Sequence, residues 1–145
     1  MDASAVGSST LPTSGKRSDA AKRRILVADD NRDSASSLAV FLELMGYEVR
    51  AVNDGLEAID TASLFRPAVM LLDLGMPRLD GYEVCRTVRG QPWGDEVVII
   101  AMTGWGQDED RRRSRDAGFN HHLVKPVQPA ALGKLLEGLD SEPAV

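Results

Sequence analysis

The 145 residues, 43% hydrophobic and 27% charged, suffice for one domain with its own core and leave no length for a second. With a net charge of −5 overall and +3 over residues 1–24, the remainder is acidic at −8, which argues against general nucleic-acid affinity. A single cysteine excludes an internal disulfide, and no apolar run reaches the length of a bilayer span or a signal peptide core, so a cytoplasmic protein without membrane insertion is expected.

Residues 1–22 are rich in Ser, Ala, Thr and Gly without periodicity and read as a flexible tail. Ser14-Gly15-Lys16 faintly suggests a phosphate loop, but Thr10 stands where its first Gly belongs and no strand precedes it. A domain over 23–140 follows, then a short tail over 141–145. Five apolar runs, Ile25 to Ala28, Tyr47 to Val52, Val69 to Leu72, Val97 to Met102 and His122 to Val124, read as strands. Helices are predicted from Arg32 to Met45, with Leu38, Phe41, Leu42 and Met45 on one stripe, and from Gly55 to Phe65. A third starts after Asp80. Asp54 with Glu57, and Asp80 with Glu83, have capping-box spacing. Cys85, between Val84 and Val88 on that third helix, reads as a buried thiol rather than a reactive one. The fourth helix, Gln107 to Ala117, places acids first and arginines later, as its macrodipole favours, and has almost no apolar stripe. A last helix from Pro129 carries Leu132, Leu135, Leu136 and Leu139 at core-facing spacing.

Strict alternation of strand and helix implies a five-stranded parallel sheet, doubly wound, with helices on both faces. In such a sheet the residues that end the strands converge at one edge, where ligand sites form. Strand one ends in Asp29-Asp30, strand three in Asp73, strand four in Thr103 and strand five in Lys125. Singly, each has a plainer reading: Asp29, Asp30 and Asn31 as helix caps, Thr103 as part of a turn before Gly104, Lys125 as a solvated charge. Together they do not. Carboxylates about 4 Å apart repel by roughly 4 kcal/mol per pair at an effective dielectric near 20, so the cluster needs a cation. Oxygen ligands select Mg²⁺ or Mn²⁺, and no thiolate or paired-histidine site competes for zinc. A metal and Lys125 beside a phosphoryl group, a hydroxyl and a backbone N–H on its oxygens, and one free carboxylate make a site for phosphoryl transfer onto aspartate. Asp73, between the acid pair and the Thr and Lys, is the natural acceptor.

The motifs ILVADDN, NDGLEAI, LLDLGMPRLDGYEVCR, VIIAMTG and HLVKP occur in an order that resembles the receiver domains of two-component response regulators, over about residues 24–139. The stretch from Gly90 to Val127 is most similar to receivers attached to hybrid histidine kinases. The resemblance implies a flavodoxin-like strand order 2-1-3-4-5, with Asp73 the phosphoacceptor, Asp30 a direct Mg²⁺ ligand, Asp29 acting largely through water, and Gly75 supplying a backbone carbonyl. It further implies that Thr103, Lys125 and the Gly104 N–H hold the phosphoryl oxygens, that the bond before Pro126 is cis, and that the donor is a phosphohistidine on a sensor histidine kinase or phosphotransfer protein. One departure is His122, which stands three residues before the lysine where many receivers have Tyr or Phe; it is either a switch residue or a partly exposed strand residue. Trp105, between Gly104 and Gly106, is either a hydrophobic cover or an exposed partner contact, the second favoured because the neighbouring helix is too polar to offer it a pocket. Because the chain ends soon after its last helix, a stand-alone receiver acting through an unknown output protein or an onward phosphorelay is expected, without small-molecule turnover. Alternatives are an aspartyl-phosphate phosphatase of the haloacid dehalogenase type, whose D-x-D pair is absent from Asp29-Asp30, and a phosphate-independent binding module.

Overall fold

The computed structural model describes residues 23–104, 112 and 115–141. The expected tail over 1–22, Trp105 and most of the predicted helix over 107–117 lie outside the described residues; of that helix, residues 112 and 115–117 are helical. The strands are β1 (Arg24–Ala28), β2 (Glu48–Val52), β3 (Val69–Asp73), β4 (Val98–Thr103) and β5 (His121–Val124). The helices are α1 (Arg32–Leu44), α2 (Gly55–Phe65), α3 (Gly81–Arg89) and α4 (Pro129–Ser141), the last running one residue into the stretch expected as a C-terminal tail. All pairings are parallel and the order is β2-β1-β3-β4-β5.

The two-residue period of a strand divides the core in two. Leu26, Met70, Leu72, Ile99 and Ala101 pack with Ala58 and Ala62 of α2 and Val84, Cys85 and Val88 of α3. Ile25, Val27, Leu71, Ile100 and Met102 pack with Leu38 and Leu42 of α1 and Leu132 and Leu136 of α4. β3 is buried along its whole length, as expected of a central strand covered on both faces. The order β1-β3-β4-β5 makes the four strands that carry the candidate site neighbours, so their C-terminal ends share one rim.

Helix starts follow the capping chemistry with one difference. Asp80 and Glu83 form the full reciprocal box. Asp54 accepts the Glu57 N–H at 2.9 Å, but the Glu57 carboxylate reaches the N–H of Asn53 rather than that of Asp54. The peptide bond between Lys125 and Pro126 is cis. Among the described residues no helix is long and apolar enough to cross a membrane.

Candidate functional site

Asn31, not Asp29 or Asp30, caps α1: its side chain accepts the Ser34 N–H at 2.9 Å. The two acids before it are thereby free for other work. Asp29 is fully buried and Asp30 exposed, and their carboxylate oxygens lie with one from Asp73 within 4.8 Å of one another. Lys125 Nζ stands 3.3 Å from Asp29 Oδ2 and 3.3 Å from Asp73 Oδ2, bridging the ends of β1 and β3 from the end of β5. Asp73 Oδ1 accepts the Gly75 N–H at 3.1 Å, and Asp29 Oδ1 accepts the Asn31 N–H at 2.9 Å. Thr103 is buried at the end of β4, and its carbonyl accepts the Lys125 N–H at 2.7 Å, which ties the last residue of β4 to the lysine's own backbone.

Burial pushes the Asp29 pKa up, and the Asp73 charge adds to it, against the Asn31 N–H and the Lys125 ammonium. Asp30 is raised by desolvation and by its contact with Asp73. For Asp73, burial is outweighed by the Gly75 N–H and Lys125, and its pKa falls below the usual carboxylate value. Desolvation works against the Lys125 ammonium, but Asp73 and Asp29 hold its pKa above the ordinary lysine value. One ammonium thus faces three carboxyl groups, and the buried Asp29 Oδ2 has the Lys125 ammonium 3.3 Å away but accepts no hydrogen bond. Carboxyl groups in excess of the one ammonium and an all-oxygen donor set fit a hard divalent cation.

Residues 25–137 match the model of the response regulator receiver domain. The chain belongs to that family. A relative, the response regulator MprA of Mycobacterium tuberculosis, is 44% identical over 113 residues, 78% of this chain and 47% of MprA, so the chain spans about half the length of the curated relatives it matches. Among solved structures, the receiver domain of the sensor histidine kinase PA1611 of Pseudomonas aeruginosa, described with a magnesium ion coordinated in its active-site cleft, is 36% identical with a TM-score of 0.75, covering 81% of this chain and 97% of its own. The receiver domain of Ssk1 of Saccharomyces cerevisiae, solved with the phosphotransfer protein Ypd1, is 26% identical with a TM-score of 0.72, covering 79% of this chain and 86% of that one.

In this receiver domain the expected acids, Thr103 and Lys125 meet at one rim, with Gly75 bonded to Asp73 and Gly104 exposed beside Thr103. His122 is half-buried on β5. Cys85 is buried, its Sγ donates to the Ala117 carbonyl at 3.3 Å, and burial pushes its thiol up to about 11, which makes it a core residue without nucleophilic character at neutral pH. Two contributors were not legible from residue type. Asn53 donates from Nδ2 to the Asp29 carbonyl at 2.9 Å, and Arg78 pairs with Asp54 at 2.7 Å. Asn53 falls in the NDGLEAI motif and Arg78 in LLDLGMPRLDGYEVCR, but neither residue carried a chemical signal of its own.

Proposed function

We propose that the receiver accepts a phosphoryl group on Asp73 from a phosphohistidine in a Mg²⁺-dependent reaction, and signals by contact with an output protein or by passing the group onward. The observation that carries this reading is the Lys125 ammonium 3.3 Å from Asp29 Oδ2 and 3.3 Å from Asp73 Oδ2, one cation among three clustered carboxyl groups. Asp30 would ligate the metal directly, Asp29 largely through water, with Asp73 and the Gly75 carbonyl completing the protein's share; the cation supplies charge neutralisation at the phosphoryl oxygens. A carboxylate oxygen of Asp73 attacks phosphorus, the new O–P bond forms as the N–P bond of the donor breaks, and the donor imidazole leaves with the bonding pair. Lys125, the Thr103 hydroxyl and the Gly104 N–H neutralise or donate to the transferred oxygens. Asp73, with its pKa held low, is ionised at neutral pH and needs no general base.

A groove beside the start of α1, lined by Leu38, Phe41, Val127 and Pro129 together with Asp33, Ser34 and Ser37, offers a largely apolar seat for the phosphohistidine-bearing kinase or phosphotransfer protein. The chain turns over no small molecule in this reading. The test is intact-mass analysis after incubation with Mg²⁺ and acetyl phosphate: one hydroxylamine-labile phosphoryl group is expected on the wild type and none on Asp73→Ala. Undiminished labelling of the variant overturns the assignment, and no labelling of either leaves a phosphate-independent binding module as the better reading.

A further inference from the structure

The turn between β2 and α2, Asn53-Asp54-Gly55, supplies no side chain to the acid cluster, yet it touches both loops that carry the acids. On one side, Asn53 Nδ2 donates to the Asp29 carbonyl at 2.9 Å and the Asp29 N–H donates to the Val52 carbonyl at 3.1 Å. On the other, Asp54 uses both oxygens: Oδ1 caps α2 on the Glu57 N–H, and Oδ2 pairs with Arg78 Nη2 at 2.7 Å. Gly55 lies so close to the same loop that a Cβ there would overlap the Leu79 carbonyl.

Arg78 has a φ of 67°, and the Leu79 N–H donates to the Pro77 carbonyl at 2.7 Å, the bond of a γ-turn in its rarer, positive-φ form. A residue with a Cβ keeps such a conformation only where its surroundings over-determine it. Here the Asp54 carboxylate and the contact of Gly55 with Leu79 do so. The loop then closes on the acceptor itself: the Gly81 N–H donates to the Leu74 carbonyl at 3.2 Å, and a Cβ on Gly81 would stand 2.7 Å from the Asp73 carbonyl.

We propose that the Asn53-Asp54-Gly55 turn and Arg78 are positioning residues that set the spacing of Asp29 and Asp73, and through it the affinity of the acid cluster for a divalent cation. This rests on the reading that the cluster holds Mg²⁺. It predicts that breaking the Arg78–Asp54 pair weakens the metal without touching a ligand.

The test uses the full chain with Arg78→Gln, Asp54→Asn and their combination, since Asn caps a helix as well as Asp and α2 is kept. Each single variant is expected to raise the Mg²⁺ Kd about three- to fivefold in calorimetric titration, with the double variant no weaker than either and Arg78→Lys recovering part of the loss. At saturating Mg²⁺, labelling by acetyl phosphate returns to the wild-type rate, which a general structural defect would not allow. Single-variant Kd values within about 1.5-fold of wild type, or additive losses, overturn the proposal. If the wild type takes up no Mg²⁺, the metal reading fails, and amide exchange over residues 75–80 in metal-free protein decides the brace: faster in Arg78→Gln supports it, unchanged removes it.

Discussion

Asp29 carries the sharpest conflict of any residue in the site, being fully buried, ionisable and beside another carboxylate. Its pKa is raised in the folded chain above the ordinary 3.8, so between those two values the folded state binds more protons than the unfolded state. Stability therefore falls as pH rises through that window, and the loss persists above it. Asp29→Asn removes the charge while keeping an oxygen for the Asn31 N–H, and Lys125 retains Asp73 as its partner. Without Mg²⁺ at pH 7 the variant should melt about 2 to 4 °C above wild type, and the difference should vanish as the pH falls to the ordinary carboxylate value. Added Mg²⁺ should reverse the order, because the wild type gains stability by mass action and the variant binds the metal about 10- to 100-fold more weakly. Thermal unfolding at the two pH values, with and without Mg²⁺, measures both; a variant less stable than wild type in metal-free buffer at pH 7 contradicts this account of Asp29.

The elements around the site are held by a residue that contributes nothing to it. Arg89, the last residue of α3, donates from Nη1 to the carbonyls of Gly94 and Val97, from Nε and Nη2 to that of Gly118, and from Nη2 to Asn120 Oδ1, all between 2.6 and 3.0 Å. Asn120 Oδ1 also accepts the Ile99 N–H at 2.7 Å, so one guanidinium joins α3, the approach to β4 and the approach to β5. Arg89→Ala removes the guanidinium from the carbonyls of Val97 and Gly118 and leaves that of Gly94 only the Val97 N–H at 3.4 Å, and should cost about 2 to 4 kcal/mol in denaturant unfolding, with Arg89→Lys recovering a minority because an ammonium cannot reproduce the planar fork. A loss below about 1 kcal/mol would show that water replaces it. Nothing in the sequence distinguishes Arg89 from Arg86, which shares its helix and is exposed. The strands, the helices and the convergence of Asp73 with Lys125 were legible because hydrophobic period and strand direction are local properties. Arg89, Arg78 and Asn53 were not, because their partners are backbone carbonyls or turns that acquire position only once the chain has folded. The Trp105 expectation falls outside the described residues, and His122 is placed on β5 without its role being decided.

Across the whole molecule there are two candidate surfaces, the groove beside the start of α1 and the side where β4 and β5 end. A phosphoryl group on Asp73 would give Lys125 a new anion in place of part of its pairing with Asp29 and Asp73, and draw the Thr103 hydroxyl toward the phosphoryl oxygens. Both residues sit on the second surface. Thr103 ends β4, its carbonyl holds the Lys125 N–H, and β5 is an edge strand with Val124 exposed. Arg89 grips the Gly118 carbonyl and Cys85 the Ala117 carbonyl, which holds the chain where it approaches β5. By contrast, α1 is packed through Leu38 and Leu42 into the core and begins at its own Asn31 cap, which the phosphoryl group does not need. Hydrogen exchange with and without a beryllofluoride phosphoryl mimic should therefore change most over residues 104–117 and over β5, with α1 nearly unaffected. Change confined to α1 would place the response on the donor-facing side instead and remove the second surface as the route to an output partner.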